Sequence, residues 1–591
     1  MITESFSDTA VNFYYARRED IMDKINSFKP EIRIPVGNSN FAEIRKEGLY
    51  YVDKTGLIFE LLNSTEKVRL ITRPRRFGKT LMMSMLENFF NIEKDSKELF
   101  KGLEISTYNN LCTAYMNQYP TIFLSFKTIE GMNFKSACDA LIILISNLFQ
   151  THNYLFDSGK IAEEDKKIFS RFQSHDISVA ELKYSVTFLT RLLYDYYGKQ
   201  VIILLDEYDV PLAKAADYHY YQEMLDMIRG ILQVLKDKDC LKFAILTGCL
   251  HISKESIFTG VNNFSTNSVI SKSFNKYFGF TEEDVNKFLK DFGVSSQYSN
   301  IKEWYDGYNF GGIDMYCPWD VTRYVMDYLT EGKKEATCYW AGSSGNAVIR
   351  SFIDKYAKFI KLDIERLLKG ESIVKKLFFN LTYGELQDSV DNFWTVLFLS
   401  GYLTAEKDAD FSRATEDGGL VSVKIPNTEV KQIFTDTIDK WIESVTGKAW
   451  DASLLIQAIF EENTEVMSSE ITKILRKTIS YFDYSESFYH AFLAGILRGA
   501  GCYVRTNSET GEGRSDIILE DPDNDRVFIF ELKRTRIESE MECTCHTALK
   551  QIEEMRYDDY FLDDYDEIIH YGVVFYKKRC LVKSENQTNS D

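Results

Sequence analysis

The chain has 591 residues, of which 45% are hydrophobic and 27% are charged, and its net charge is −19. This length exceeds what one hydrophobic core holds, so several globular domains are expected. The acidic balance disfavours a broadly basic nucleic-acid-binding surface, and any contact with nucleic acid should be local. The ten cysteines lack the dense spacing of a secreted disulfide framework, and no apolar run approaches a membrane span. A cytoplasmic protein without membrane contact is therefore predicted.

The first part of the chain alternates short apolar runs with longer amphipathic stretches, as in a parallel sheet with crossover helices. Each run is nearly continuous in Val, Ile, Leu and Phe, which is typical of strands buried on both faces. The predicted strands are Val68–Thr72, Thr121–Phe126, Val201–Leu205 and Phe243–Thr247. The predicted helices include Ala137–Phe149 and Val186–Tyr197. The pattern predicts an α/β domain over residues 34–280, after an N-terminal leader over residues 1–33.

A phosphate-binding loop is predicted between the first strand and the next helix. Arg73-Pro-Arg-Arg-Phe-Gly-Lys-Thr80 follows Val68–Thr72 and runs into an apolar stretch with helical spacing. Lys79 is expected to reach the β- and γ-phosphates of ATP, and the Thr80 hydroxyl to ligate Mg²⁺. Arg73 stands where the Gly-x4-Gly-Lys-Thr motif has its first glycine. The loop alone therefore also fits an ordinary helix start.

The strand Val201–Leu205 leads into two carboxylates, Asp206 and Glu207, which strengthens the nucleotide interpretation. Asp206 is expected to hold Mg²⁺ through water, and Glu207 to orient or deprotonate the attacking water. Thr247 could sense the γ-phosphate. Arg75 and Arg76 could contact phosphates, act on a neighbouring subunit of a homo-oligomer, or form a solvated basic loop. The predicted nucleotide-binding residues are Arg75, Arg76, Phe77, Gly78, Lys79, Thr80 and Asp206.

The middle of the chain is less informative. Residues 281–350 are rich in aromatics and turn signals, as in Trp304-Tyr-Asp-Gly-Tyr308, and are expected to form a lid or linker. Residues 351–455 are mostly helical until two strand-like runs, Gly401–Glu406 and Gly419–Pro426, which suit a hairpin. Asn427 then resembles a helix N-cap. A winged-helix unit and a generic helical linker domain both fit this pattern.

The last domain, residues 456–583, opens with helices and becomes strand-rich, and residues 584–591 are expected to be a disordered polar tail. On a strand, Glu531 and Lys533 point to the same face about 6–7 Å apart, and Asp516 on the adjacent strand completes a cluster. Asp516 and Glu531 could bind one or two Mg²⁺ ions while Lys533 activates water, which suits phosphodiester hydrolysis. The alternative is a surface salt bridge between paired strands.

Further positions in this domain carry a resemblance. The full set is Glu486, Asp516, Glu531, Lys533, Gln551 and Tyr557. It resembles the PD-(D/E)XK nuclease superfamily over about residues 480–580, with a helical acid, a strand aspartate, Glu-x-Lys and a helix with Gln and Tyr. The resemblance implies that Glu486, Asp516 and Glu531 are metal ligands and that Lys533 is catalytic. It assigns Gln551 and Tyr557 to supporting DNA or the site.

Six motifs together extend the resemblance over nearly the whole chain. They are Ile34–Phe41, Tyr51–Thr55, Arg73–Thr80, Asp206–Asp209, Trp304–Tyr308 and Gly513–Asp516. This combination resembles the bacterial AAA-ATPase-like proteins with a C-terminal PD-(D/E)XK nuclease domain. The resemblance implies ATP and Mg²⁺ as cofactors and makes Arg73 a family feature. The Cys543-Thr-Cys545-His546 run fits a soft-metal site or, more simply, free thiols near a helix start.

Three functions fit these observations. The first is an ATP-dependent or ATP-gated nuclease acting on DNA, in which nucleotide state exposes or aligns the C-terminal site. The second is a signalling or scaffold ATPase whose nuclease-like domain only binds nucleic acid or a partner. The third is a structural protein in which neither site is active. The Asp516, Glu531 and Lys533 set favours the first function, and the overall acidity weighs against avid DNA binding.

Overall fold

The computed structural model describes residues 33–250, 264–340, 360–407, 418–437, 452–478, 486–510 and 513–585, except for 361, 365, 380, 382, 387, 388 and 563. The predicted leader lies outside the described residues except for residue 33, as does the predicted tail from residue 586 onward. The chain divides into two compact units, Met1–Ile433 and Phe434–Asp591.

A five-stranded parallel sheet organises the first unit. Its strands are β1 (Val68–Thr72), β2 (Thr121–Ser125), β3 (Val201–Asp206), β4 (Leu241–Gly248) and β5 (Phe264–Asn267). They lie in the order β2-β3-β4-β1-β5, and every neighbouring pair is parallel. The first four strands lie where the sequence predicts them. The edge strand β5 was not predicted, because its Phe-Ser-Thr-Asn run has no apolar continuity.

Side chains of this sheet alternate between two hydrophobic cores. Leu70 and Ile203 contribute to the core on one face, whereas Ile71 and Ile202 contribute to the core on the other. The sheet is therefore buried on both faces, as its continuous apolar strands predict. Among the α-helices of the first unit are Phe41–Lys46, Gly56–Asn63, Lys79–Phe90, Lys97–Phe100, Asn109–Tyr115, Phe134–Thr151, Glu163–Gln173, Val179–Tyr197, Val210–Asp217, Tyr221–Ile231, Glu282–Asp291, Tyr298–Tyr305, Pro318–Glu331 and Val390–Ser400.

The Tyr51–Thr55 motif fastens the N-terminal segment to two other parts of the unit. Asp53 accepts hydrogen bonds from the backbone N–H of Thr55 (2.9 Å) and of Glu104 (2.6 Å). Lys54 is buried, and its Nζ donates to the Asp284 carboxylate at 2.5 Å. Burial lowers the pKa of Lys54, and the Asp284 charge opposes that shift. The motif thus joins three segments that are distant in sequence.

The aromatic Trp304–Tyr308 motif packs under the phosphate loop. The ring of Tyr308 lies 4.9 Å from the ring of Phe77, in an edge-to-face contact. Gly307 has a φ of +92°, and a Cβ there would lie 2.0 Å from the carbonyl oxygen of Pro426. Only glycine fits this crossing. The motif therefore brings the loop, the aromatic region and the Pro426 turn together.

Residues near the end of the first unit form a small antiparallel sheet. Its strands are β8 (Ile373–Leu377), β9 (Thr404–Ala405) and β10 (Gly419–Lys424), in the order β8-β10-β9; β6 (Tyr308–Phe310) and β7 (Ile313–Met315) form a separate hairpin. The predicted pairing of the 401–406 and 419–426 runs is confirmed. Asn427 accepts a hydrogen bond from the Val430 N–H (3.0 Å), so the predicted N-cap is also present at the head of helical residues 428–437.

The second unit contains a mixed five-stranded sheet. Its strands are β11 (Tyr503–Thr510), β12 (Gly513–Asp521), β13 (Arg526–Arg534), β14 (Glu567–Tyr576) and β15 (Arg579–Ser584). Neighbouring strands follow chain order, β13 and β14 are parallel, and the other pairs are antiparallel. The predicted β12–β13 hairpin is confirmed, with Ile517 opposite Phe530.

Helices cover both faces and one edge of this sheet. Its α-helices are Ser453–Phe460, Thr464–Thr478, Glu486–Gly499 and Met541–Glu554. Ser468 and Thr472 accept hydrogen bonds from the N–H groups of Val582 (2.8 Å) and Cys580 (2.9 Å), so the second helix blocks the β15 edge. Nowhere in the described part of the chain is there a helix with the length and apolarity to cross a membrane.

Candidate active sites

The phosphate loop rests on buried residues, and its other side lines a cavity. Gly78 has a φ of +80° and precedes the helix Lys79–Phe90 in the left-handed conformation. Arg73 is fully buried beneath the loop, where its Nη1 donates to the carbonyl oxygens of Thr72 and Asn267, both at 2.8 Å. Burial lowers the pKa of Arg73 to about 9. Arg73 therefore braces the loop from below.

The lysine, the hydroxyl and the first acid of the two motifs meet at the ends of β1 and β3. Thr80 Oγ1 donates to the fully buried Asp206 at 2.9 Å. Thr247 Oγ1, at the end of β4, donates to the other oxygen of Asp206 at 2.7 Å. Burial, with the nearby charge of Glu207, raises the pKa of Asp206. Two negative charges, those of Asp206 and Glu207, are unfavourable so close together. A cation bound beside them would therefore be stabilised.

Lys79 is buried at the centre of the loop. Its Nζ donates to the carbonyl oxygens of Arg73 and Pro74, both at 3.1 Å, and lies 3.8 Å from Glu207 Oε1. Burial lowers the pKa of Lys79, but the surrounding acidic groups outweigh it, so the pKa is raised. Glu207 itself has a φ of +55°, an uncommon conformation for a residue with a side chain. The structure thus brings the predicted lysine and glutamate together.

Sequence reasoning missed a hub at Asp209. Its Oδ2 accepts three hydrogen bonds, from the N–H groups of Cys249 and Leu250 (2.9 Å each) and from Tyr383 Oη (3.0 Å). Burial, followed by the charge of Glu207, raises the pKa of Asp209. The hub ties the end of β4 to a tyrosine from the region after the aromatic segment. Asp209 could have been singled out, because it belongs to the Asp206–Asp209 motif. No sequence pattern marked Tyr383 as its partner.

The other loop residues divide between surface and interior. Arg75 is exposed. Arg76 donates from Nη1 to the carbonyl oxygen of Tyr339 (2.7 Å), and its guanidinium lies over the ring of Trp319. Phe77 is fully buried. Phe77, one of the predicted nucleotide-binding residues, packs against the rings of Tyr308 and Phe310.

A cavity of about 250 Å³ opens beside the loop. Gly78, Lys79, Thr80 and Glu207 line one side of it. The remaining wall comes from the N-terminal segment and from the region after the sheet, and includes Gly37, Tyr50, Tyr51, Lys54, Phe280 and Trp319. None of these wall residues was predicted as a site residue. The cavity combines ionic groups on one side with aromatic rings on the other.

In the second unit, Asp516, Glu531 and Lys533 come together as predicted. Lys533 Nζ donates to Glu531 Oε1 at 2.7 Å, and Asp516 Oδ2 accepts from the Leu532 N–H at 2.8 Å. Glu531 Oε2 is buried without a hydrogen-bond partner in the described structure. Burial, with the charge of Asp516, raises the pKa of Glu531 to about 7. The site therefore holds a buried carboxyl oxygen that a proton or a cation would satisfy.

Glu486 approaches this cluster from a different direction. It begins the helix Glu486–Gly499, which packs on the sheet face that also contacts Leu532, whereas Glu531 points to the opposite face. Glu486 is exposed, yet its charge contributes to raising the pKa of Glu531. Within the described residues, no three acidic, His or Cys side chains form a ready metal site, the Cys543–His546 run included. Metal binding by Glu486, Asp516 and Glu531 stays a prediction.

Two protein-family models match parts of this chain. The family described as "Predicted AAA-ATPase" matches residues 35–258, and the PD-(D/E)XK nuclease superfamily matches residues 484–585. The chain combines an AAA-ATPase-like domain with a PD-(D/E)XK nuclease superfamily domain. The resemblance that the motifs indicated is confirmed for both domains, and so is the α/β fold class. At family level, these domains indicate ATPase and nuclease-like hydrolase activity.

Two individual proteins are similar to this chain. A protein of Azotobacter chroococcum mcd 1, described as "Uncharacterized protein in vnfD 5'region", is 25% identical over 562 residues, which is 92% of this chain and 96% of that protein. The Aeropyrum pernix ORC2 protein, solved as ADPNP-ADP complexes, matches with a TM-score of 0.28 and 10% identity. That match covers 71% of this chain and 98% of the ORC2 chain.

In the PD-(D/E)XK domain, Gln551 and Tyr557 contact each other near the start of β12. Tyr557 is buried, and its hydroxyl donates to the carbonyl oxygen of Arg514 at 2.9 Å. Gln551 Nε2 lies 3.4 Å from the same hydroxyl. His490, which had no predicted role, donates from Nε2 to the backbone carbonyl of Asp516 at 2.7 Å. These contacts hold the start of β12, where Asp516 lies.

His570 anchors the segment that carries Tyr557. Its ring contacts Asp558 (2.6 Å) and Glu585 (2.8 Å), and these carboxylates outweigh burial, so the pKa of His570 is raised. A raised folded-state pKa stabilises the fold below the unfolded pKa, and this contribution disappears as pH rises through the folded value. We expect His570→Gln to cost about 1–2 kcal/mol at pH 6 and less at pH 9. Scanning calorimetry at both pH values checks this, and an equal loss at pH 6 and 9 would contradict it.

Proposed function

We propose that this chain is an ATP-binding protein whose ATPase domain is coupled to a Mg²⁺-dependent nuclease domain that cleaves nucleic acid, with DNA as the preferred substrate. The observation that carries the proposal is the set formed by Asp516, Glu531 and Lys533. A structural salt bridge between Glu531 and Lys533 has no need for a second carboxyl group, Asp516, beside it, and the buried Glu531 oxygen without a partner is costly. A cation-dependent hydrolase needs this arrangement.

In the ATPase domain, the residues beside the cavity have separate tasks. Lys79 exchanges its carbonyl partners for the β- and γ-phosphates, while the loop N–H groups face the phosphates. Thr80 and Asp206 lie 2.9 Å apart, so they can hold the Mg²⁺ that accompanies ATP. Glu207 is then released from Lys79 to orient the attacking water. The aromatic wall with Tyr50, Tyr51 and Trp319 offers a surface for the base.

In the nuclease domain, Asp516 and Glu531 would hold the cation, with Glu486 at the rim of the site. When bound, Mg²⁺ activates water and stabilises the negative charge that develops on the phosphate. Glu531 holds Lys533 in the site, where the Lys533 ammonium group would orient the water or neutralise the phosphate. Tyr557 and His490 keep Asp516 in place.

The test is a cleavage assay of the full chain on single- and double-stranded DNA and on RNA, with Mg²⁺ and with or without ATP. We expect cleavage that EDTA abolishes and that DNA supports better than RNA. If every nucleic acid stays intact while the protein still binds ATP, the signalling or scaffold function replaces the nuclease. If ATP does not bind in a calorimetric titration with Mg²⁺, both proposals fail.

A further inference from the structure

A buried pair of carboxyl groups lies behind the phosphate loop. Asp320, on the helix Pro318–Glu331, and Glu429, at the head of helical residues 428–437, are both fully buried. Both oxygens of Asp320 and Oε2 of Glu429 are buried without a hydrogen-bond donor among the described residues, and the two carboxyl groups lie close enough to interact electrostatically. Glu429 Oε1 accepts from the backbone N–H groups of Tyr339 (2.6 Å) and Trp340 (2.9 Å). Burying two carboxyl groups costs free energy, so the groups that they contact indicate their role.

The pair holds one proton and one negative charge. Two carboxyl groups in contact and away from water cannot both ionise. Burial raises the pKa of both, and the charge of Asp320 raises the pKa of Glu429 further, so Glu429 keeps the proton. Because Glu429 Oε1 accepts two N–H groups, the proton lies on Oε2. Cys317 and Tyr308, which are also buried against the pair, have pKa values well above their ordinary range and stay neutral.

The charge on Asp320 faces Arg76 of the phosphate loop. Arg76 Nη1 lies 3.9 Å from Asp320 Oδ1, and the same nitrogen donates to the carbonyl oxygen of Tyr339 at 2.7 Å. The guanidinium lies 5.2 Å from the ring of Trp319. Both Arg76 and Trp319 line the cavity beside Lys79. Glu429 fixes the Tyr339 backbone from its other side, so both halves of the pair act on the same arginine.

We propose that Asp320 and Glu429 are positioning residues for nucleotide binding, which share one proton and hold Arg76 on the cavity wall, where its guanidinium binds the phosphates of ATP. This inference rests on the proposed ATP function. A planar guanidinium already fixed by a ring, a carbonyl and a carboxylate loses little side-chain freedom when an anion arrives. The affinity for ATP therefore depends on a carboxyl pair outside the ATPase motifs.

Three substitutions test the roles of the Asp320 charge, the Glu429 proton and the Arg76 guanidinium one at a time. Calorimetry on the full chain with Mg²⁺ and ATP should show about tenfold weaker binding for Arg76→Met and for Asp320→Asn. Glu429→Gln should stay within about twofold of wild type, because a neutral amide both accepts from the N–H groups and donates to Asp320. The control is Asp314→Asn, a carboxylate of the same region that pairs with Lys407, and it should bind ATP like wild type.

A double-mutant cycle shows whether Asp320 acts through Arg76. In the Arg76→Met background, Asp320→Asn should change ATP affinity by less than about twofold. The inference is overturned if Arg76→Met binds ATP like wild type, or if Asp320→Asn keeps its full effect without Arg76. If Asp320→Asn fails to fold, Arg76→Met and Glu429→Gln still test the inference. A tenfold loss of ATP affinity in Glu429→Gln would contradict the placement of the proton on Glu429. Loss of ATP binding by wild type would instead overturn the proposed function.

Discussion

Lys79→Ala should lower the affinity for ATP by more than about 100-fold, which is about 3 kcal/mol. The reason is that the Lys79 ammonium has two tasks. It is the buried cation beside the predicted phosphate position, and it also holds the carbonyl oxygens of Arg73 and Pro74, both at 3.1 Å. Alanine removes the charge and leaves these two carbonyl groups without their donor. Calorimetric titration with ATP and Mg²⁺ measures the change.

Lys67→Ala is the matched control for this substitution. Lys67 precedes the same strand β1 at its opposite end, and its Nζ lies 3.4 Å from the carbonyl oxygen of Lys238. Loss of this lysine changes the net charge by the same amount, far from the loop. We expect the control to bind ATP like wild type. Equal affinities for the Lys79→Ala and wild-type proteins would show that the loop does not bind nucleotide.

Glu531→Ala and Lys533→Ala should each lower the rate of Mg²⁺-dependent cleavage by about 100- to 1,000-fold. Glu531 contributes the buried Oε2 without a partner, and Lys533 contributes the ammonium group 2.7 Å from the other carboxylate oxygen, Oε1. Removing the carboxylate also removes the charge that offsets a bound cation, so the Mg²⁺ requirement should rise in Glu531→Ala. Single-turnover cleavage of a labelled DNA at several Mg²⁺ concentrations measures both effects.

An ion pair at the other end of the β12–β13 hairpin is the control. Asp521, on β12, accepts from Arg526 on β13 at 3.2 Å, at the end of the strands away from Asp516. Asp521→Asn removes a carboxylate from the same hairpin and should leave cleavage unchanged. If both pairs prove equally dispensable, the Glu531–Lys533 contact is a structural salt bridge and the nuclease proposal fails.

Much of the fold follows from local sequence. Strands β1 to β4 are nearly continuous in apolar residues, which is typical of a sheet buried on both faces, so their positions were predictable. β5 and β8 were not, because Phe264–Asn267 is polar and Ile373–Leu377 contains two lysines. Each is a strand because of the partner that lies beside it, β1 for one and β10 for the other. The residues of β5 and β8 do not themselves indicate which strand lies beside them.

In the sites too, contacts between motif residues were predictable from the sequence, whereas contacts with residues outside the motifs were not. The Thr80–Asp206 contact and the Glu531–Lys533 contact connect residues that motifs had already marked. Tyr383 beside Asp209 had no such mark, because a single tyrosine far along the chain has no periodicity or spacing that signals its partner. The same holds for the carboxyl pair behind Arg76. Buried polar contacts between distant segments have to be seen in three dimensions.

The most direct test of the account is whether nucleotide controls cleavage. It compares the cleavage rates of wild type, Lys79→Ala and Glu207→Gln, each with and without ATP, at one Mg²⁺ concentration. Glu207→Gln should bind ATP without hydrolysing it and so remain in the ATP-bound state. ATP should raise cleavage by wild type and Glu207→Gln at least about tenfold, and leave Lys79→Ala at the nucleotide-free rate. Equal rates with and without ATP in all three proteins would contradict it.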